Sequence, residues 1–235
     1  VNHQAFVLQF ERDGENLYPR LDDRIAGDPE GLGRKVRVEM YRRLGYFPTE
    51  SSEHSSEYVP WFLRSDEMVE RFRIPIDQYI EWSEENLEEY ESIKRALEAG
   101  QGFEIEPTGE LASLAIHSIE TGTPRVIYGN VRNDGLISNL PAPSCIEVPC
   151  LVDRAGFHPT RIGAMPPQLA ALNQTFLNVS ELTVRAALDE RREHVYQAAM
   201  LDPNASSTLT LDEIQALCDE LIEAHGELMP EWLRA

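Results

Sequence analysis

Val36-Arg37-Val38-Glu39-Met40-Tyr41-Arg42-Arg43-Leu44-Gly45, followed at once by Tyr46-Phe47-Pro48-Thr49-Glu50-Ser51-Ser52-Glu53-His54, is the stretch from which the rest of the chain is read. Its first half has a helical period. Val36, Met40 and Leu44 share a face, Tyr41 lies beside it, and Gly45 is placed to cap the C-terminus. Its second half, continued by Glu57-Tyr58-Val59-Pro60-Trp61-Phe62, has no helical or strand period in its polar residues. A plain surface loop has little use for so many rings. A core has little use for three carboxylates, four serines and His54 within residues 49–58. Both together fit the wall of a polar cavity, such as a sugar site, where rings stack and carboxylates accept from hydroxyls. A polar Ω-loop or a helix N-cap region accounts for the same residues without a ligand.

Toward the N-terminus, residues 4–11 alternate in polarity and predict a strand that ends at the turn Asp13-Gly14. Residues 18–33 read as irregular, punctuated by Gly27, Pro29, Gly31 and Gly33. Toward the C-terminus, Asp66 starts a short helix through Phe72, and Pro75 breaks the chain. Residues 76–99 predict a long acidic helix whose apolar stripe is Ile80, Leu87, Tyr90, Ile93 and Leu97. A helix over 110–120 is closed by Gly122. A short strand over 125–128 leads into a turn-rich segment ending at Gly135. Residues 146–152 form a strand, and Asp153-Arg154-Ala155-Gly156 turns into 157–162. Residues 166–200 are helical, divided near Asn178-Val179-Ser180 with Ser180 as a cap. Asp202-Pro203 ends that run. Thr210 and Glu213 form the capping box of a last helix that runs to about His225. The class is α+β, helix-rich with a small mixed or antiparallel sheet. No repeat is visible, and no linker divides the chain.

A length of 235 residues suits one large domain or two small ones, and 42% hydrophobic content is enough for a core. A net charge of −20 argues against nucleic acid or an anionic membrane as partner. No run of about 18 apolar residues suggests a membrane span, and the expected compartment is the cytoplasm. Cys145, Cys150 and Cys218 are an odd set without metal-type spacing, with the first two on opposite strand faces. They read as reduced and structural. There is no glycine-rich dinucleotide fingerprint, P-loop, Ser-His-Asp order or zinc signature. Asn2-His3 reads, by itself, as a polar pair at a chain end. The segment Asn130-Val131-Arg132-Asn133-Asp134-Gly135 follows a strand end, where ligands often sit, and an Asx-turn explains it equally well. Arg132 offers a fork to hydroxyl groups.

Seven segments together resemble the C-terminal half of glycoside hydrolase family 4, in its α-galactosidase branch. They are Asn2-His3-Gln4-Ala5-Phe6, Glu39-Met40-Tyr41, residues 45–61, 126–141, 147–153 and 198–203, and Asp212-Glu213-Ile214. The resemblance covers nearly the whole chain. It implies that residues 1–235 are a substrate- and metal-binding domain, shaped like the C-terminal domains of lactate dehydrogenase-like and family 4 enzymes. A Rossmann domain carrying the NAD site would precede it, in keeping with a chain that starts at Val1 rather than Met. The implied cofactors are NAD and Mn2+, both needing that upstream half, so this piece alone is expected to be inactive. The implied reaction departs from two-carboxylate hydrolysis. Sugar C3 is oxidised, a base removes the C2 proton, the aglycone is eliminated, water adds and the hydride returns. His3 matches the metal-ligand histidine, whose cysteine partner lies upstream. Tyr41 matches the C2 base, with Tyr46 and Tyr58 as alternatives. Asn2, Glu50, Ser51, His54, Asn130, Arg132 and Asn133 match substrate contacts. The phosphate-binding arginine of the 6-phospho branch has no counterpart in residues 51–61, which implies an unphosphorylated α-galactoside. A homo-oligomer is expected. The alternatives are another family 4 activity, on α-glucosides or α-galacturonides, or a catalytically silent carbohydrate-binding or oligomerisation module.

Overall fold

The computed structural model describes residues 3–102 and 109–234. They form two compact units interleaved in sequence, Val1–Ile74 with Gly129–Val148 and Thr160–Ala235, and Pro75–Tyr128 with Pro149–Pro159. The architecture is α+β, with helices dominant and small antiparallel sheets, as the sequence pattern predicts.

In the first unit, residues 4–11 do not make one long strand. β1 (Phe6–Val7) pairs with the later β4 (Phe47–Pro48), Phe6 opposite Pro48. β2 (Glu11–Arg12) and β3 (Glu15–Asn16) form a hairpin over Asp13-Gly14. The φ values there, 53° and 80°, are the left-handed pair that a two-residue hairpin turn requires. The segment read as irregular contains α1 (Tyr18–Ala26). Pro19 sits in its first turn, where a missing N–H costs nothing. The reason for this helix is not local. Ile25 is buried with Val38 and Tyr41, and Tyr18, Leu21 and Phe47 pack on that cluster. The Tyr18 hydroxyl donates to the Val7 carbonyl at 2.5 Å and accepts from the Phe47 N–H at 3.0 Å. One phenol thus ties β1 to β4.

α2 (Val36–Leu44) is the predicted helix, and Gly45 closes it at φ 82°, its N–H on the Tyr41 carbonyl at 2.8 Å. A residue with Cβ would strain that left-handed cap. The polar block is not wholly loop, because α3 (Ser52–Glu57) forms within it. α4 (Asp66–Phe72) is as predicted, with Phe72 edge-on to Phe62 at 5.0 Å.

The second unit holds α5 (Gln78–Glu98), which has the predicted stripe yet buries none of its residues. α6 (Ala112–Thr121) ends at Gly122, φ 78°, where a Cβ would lie 3.2 Å from Arg154 Nε. β5 (Arg125–Arg132), which belongs to the first unit from Gly129 onward, runs past its predicted end at Tyr128, so Asn130 and Arg132 belong to a strand rather than a turn. It joins β6 (Cys145–Asp153) and β7 (Gly156–Pro159) in one sheet, of order β5-β6-β7. β6 buries Ile146, Val148, Cys150 and Val152 and leaves Cys145 exposed, the expected period of two.

The C-terminal segment belongs to the first unit. α7 (Pro167–Asp189) runs straight through residues 178–180, and Ser180 donates to the Phe176 carbonyl at 3.1 Å instead of capping. The break falls at Glu190, φ 51°, before α8 (Arg192–Leu201). Asp202 then caps α9 (Pro203–Thr208), accepting from the Asn204 and Ala205 N–H groups. α10 (Leu211–His225) starts with the predicted capping box and buries Ile214, Cys218 and Ile222. Asp219 on α10 takes the Arg192 guanidinium at 2.8 Å and the Tyr196 hydroxyl at 2.5 Å from α8. Among the described residues, no helix is long and apolar enough to cross a membrane.

Candidate functional site

The pairing of β1 with β4 continues one step through the Thr49 N–H, which donates to the Ala5 carbonyl at 3.0 Å. That step brings His3 beside the polar block. His3 Nε2 lies 3.1 Å from Thr49 Oγ1, and His3 Nδ1 lies 3.1 Å from Glu50 Oε2. The second Glu50 oxygen accepts from the Ser51 N–H at 2.7 Å. Ser51 Oγ caps α3 by accepting from the His54 N–H at 3.2 Å. His54 Nδ1 sits 2.9 Å from Glu57 and its ring stacks on Tyr58 at 6.3 Å. Tyr58 in turn meets Phe176 edge-on at 5.2 Å.

Arg37 underlies this group, and sequence reasoning missed it. It projects from α2 and donates to the Pro48 and Thr49 carbonyls, with its guanidinium 4.7 Å from the centre of the Phe47 ring. Burial lowers its pKa, while Glu50 and Glu53 pull it back up. The one signal in the sequence is its position four residues before Tyr41, on the same helical edge. Gln4 and Asn173 were missed as well. Asn173 Nδ2 donates to the Gln4 carbonyl at 3.1 Å, a contact across 169 residues with no local signature. Gln4 Oε1, Asn173 Oδ1 and Tyr58 Oη are buried oxygens without a protein partner among the described residues. Such atoms call for a water or a ligand.

Tyr41 lies outside this group. Its hydroxyl donates to Asp22 Oδ1 at 2.8 Å, and its ring stacks on Tyr18 at 5.1 Å. Burial, then the hydrogen bond to Asp22 and the charge of Asp22, push its pKa up to about 12. Tyr58 also rises to about 12, through burial first and then Glu50 and Glu57.

The segment 130–135 divides its work. Asn130 is exposed on β5. Arg132 is exposed and donates to Asp134 at 2.8 Å. Asn133 has no exposed surface. Its amide nitrogen donates to the carbonyls of Ile137, Leu140 and Pro141, and its oxygen accepts from the Ile137 N–H at 2.8 Å. Every polar atom of that side chain is spent on the main chain of its own loop. Asn2 lies outside the described residues.

Among the described residues, no three His, Cys, Asp or Glu side chains are grouped to hold a metal ion. His3, by giving up its Nε2 contact with Thr49, and Glu50 would offer one imidazole nitrogen and one carboxylate oxygen. These suit a divalent first-row ion but are too few to hold one alone.

Residues 1–205 match the model of the family 4 glycosyl hydrolase C-terminal domain. The chain belongs to glycoside hydrolase family 4. An α-galactosidase of Bacillus subtilis (strain 168) is 38% identical to this family 4 domain, over 99% of the chain and 54% of the relative. An α-galactosidase of Rhizobium meliloti (strain 1021) is 31% identical, over 100% of the chain and 50% of the relative. A 6-phospho-α-glucosidase from gut microorganisms, solved with NAD and Mn2+, shares the fold. Its TM-score is 0.67 at 16% identity, over 94% of the chain and 52% of that structure. The family 4 domain thus spans about half the length of the relatives it matches.

Proposed function

We propose that this chain is the C-terminal half of an NAD- and manganese-dependent α-galactosidase, and that an upstream Rossmann domain supplies the dinucleotide site. The observation that carries the reading is the group in which His3 meets Glu50 and Thr49 across 46 residues of sequence, flanked by buried oxygens with no protein partner among the described residues. The similarity to α-galactosidases over nearly the whole chain supports the choice of sugar.

Bound NAD and a divalent cation would supply hydride exchange at sugar C3 and Lewis-acid support for loss of the C2 proton. In this reading His3 holds the cation, and Glu50 fixes the imidazole's orientation, as a carboxylate partner does for a ligating histidine. Arg37 keeps the loop in place from beneath. Ser51 and His54, at the start of α3, face the sugar's hydroxyls together with Asn130 and Arg132. Asn133 enters as the brace that shapes their loop rather than as a contact. Tyr41 removes the C2 proton. Its raised pKa works against that at neutral pH, so the role requires positive charge close to the phenol. One observation favours Tyr58 for the same role. Its hydroxyl has no protein partner among the described residues, and its ring stacks on His54, within the His3 group.

The sugar is read as unphosphorylated. Glu50, Glu53 and Glu57 crowd the loop, residues 49–58 carry no Lys or Arg, and the chain's net charge is −20, so a phosphate would be repelled. The test uses a protein containing both halves. His3→Ala should lose bound manganese, measured by elemental analysis, together with hydrolysis of p-nitrophenyl α-galactoside. Normal metal content in an active variant would remove His3 from the site. Preference for any 6-phosphate sugar would overturn the substrate, and preference for a galacturonide would move it to that acid.

A further inference from the structure

We propose that the Thr49 hydroxyl competes with a divalent cation for Nε2 of His3, and so limits how tightly the cation is held. The proposal rests on the reading of His3 as a metal ligand. The Glu50 carboxylate only accepts, so its contact with His3 Nδ1 at 3.1 Å places the ring proton on Nδ1. Nε2 of the neutral ring then keeps its lone pair, and Thr49 Oγ1 lies 3.1 Å from it. The hydroxyl therefore donates to Nε2. A lone pair that accepts this proton cannot also bind a cation.

Thr49 acts on the cation in two opposed ways. Its hydroxyl helps to hold the imidazole in place, which favours binding, and it occupies the ligating nitrogen, which disfavours binding. Occupancy wins because the orientation has a second support. Glu50 grips Nδ1, and its other oxygen accepts from the Ser51 N–H at 2.7 Å. The Glu50 side chain is 13% exposed against 38% for His3, so the support sits deeper than the ring it steers. Release of Nε2 costs Thr49 little. Its hydroxyl already lies 3.4 Å from the Ala5 carbonyl, a second acceptor, and its N–H donates to the same carbonyl at 3.0 Å. The side chain can thus give up His3 while the backbone stays in place. What the cation must displace is one ordinary hydrogen bond, equivalent to roughly 3- to 10-fold in affinity. Thr49 itself is exposed, so replacing it opens no hole in a core.

The ring proton is read by long-range nitrogen–proton NMR of the histidines of this chain in mildly alkaline buffer, with the His3 signal identified by its loss in His3→Gln. His3 is expected to be protonated on Nδ1. A ring protonated on Nε2 would overturn the proposal, because Thr49 would then accept rather than donate. Manganese affinity is read in a protein containing both halves, from the electron paramagnetic resonance of free Mn2+. Thr49→Ala should bind manganese roughly 3- to 10-fold more tightly. Thr49→Ser keeps the hydroxyl and should stay within about twofold of the parent. Affinity unchanged in Thr49→Ala would overturn the proposal, and so would weakened affinity, which would make the hydroxyl a ligand itself. Equal tightening in Thr49→Ser would overturn it too, by tracing the gain to the lost methyl group. Manganese binding indifferent to His3→Ala would overturn the ligand role and this proposal together. Loss of manganese in His3→Ala with no gain in Thr49→Ala would overturn this proposal alone.

Discussion

Two polar segments of the first unit, residues 49–58 and residues 130–135, have similar composition but do different things. In the first, besides caps and turns onto the main chain, side chains meet other side chains from elsewhere in the fold. Thr49 and Glu50 take both nitrogens of His3, some 46 residues away, while Ser51, His54 and Tyr58 are linked to Glu50, Glu57 and Phe176. In the second, the central side chain bonds only to main chain. Asn133 makes four hydrogen bonds within its own loop and touches no solvent. Side chains that satisfy one another across the fold gather chemistry at a point. A side chain that satisfies the backbone fixes a shape. Counting polar residues cannot separate the two cases, but counting where their hydrogen bonds go can.

The largest test of this contrast asks which tyrosine works with the His3 group. In a protein with both halves, Tyr41→Phe is expected to slow turnover by roughly 10²–10⁴-fold with KM little changed, the usual range for a lost general base. The same loss in Tyr58→Phe, with Tyr41→Phe near normal, would move the base into residues 49–58. Tyr41→Phe also carries a pH signature. The folded pKa of about 12 lies above the ordinary value of 10.0, so the protonated phenol's contribution is complete below pH 10 and is lost as pH rises toward 12. Alkaline unfolding between those values should therefore be shallower in the variant. An unchanged slope would show that Tyr41 adds nothing to it.

The second test addresses the brace. Asn133→Ala removes four hydrogen bonds and leaves the Ile137 N–H and the Leu140 carbonyl without their Asn133 partner, and should cost about 2–4 kcal/mol in urea unfolding. Arg132→Ala, exposed one residue away, should stay within roughly 0.5 kcal/mol. Equal costs would erase the distinction between the two positions. The smallest effect belongs to the α3 cap. Ser51→Ala removes the acceptor of the His54 N–H and should cost about 1 kcal/mol. Ser51→Asp should recover most of it, since any short acceptor serves a cap. Failure of Ser51→Asp to rescue a lost activity, with stability restored, would assign the hydroxyl to substrate.

Much of the fold was legible where its causes lie within a few residues. α2 with its Gly45 cap, α4, α6 ending at Gly122, the alternation of β6 and the capping box of α10 were each read from neighbours three or four positions apart. α1 was obscured by Pro19 and by the glycines and Pro29 that follow it, although Tyr18, Leu21 and Ile25 keep the i, i+3, i+7 spacing of its buried face. The end of β5 was misjudged because a strand continues as long as a partner supplies hydrogen bonds, and the partner here is β6, more than a dozen residues later. The division of 166–200 was set too early, at Asn178-Val179-Ser180, because a serine inside a long helix can return its hydroxyl to the preceding turn instead of capping.

By itself, then, the chain's order of residues determined its class, most of its helices and the family resemblance, all properties of local pattern. The tertiary structure decided which polar residues meet. It joined His3 to Glu50 through a strand pairing, spent Asn133 on its own loop, set Tyr41 against Asp22 and left the α5 stripe uncovered. The physical reason is range. Caps and periodicity act over one or two turns, whereas desolvation and side-chain hydrogen bonding depend on what the folded chain brings alongside from far away in sequence.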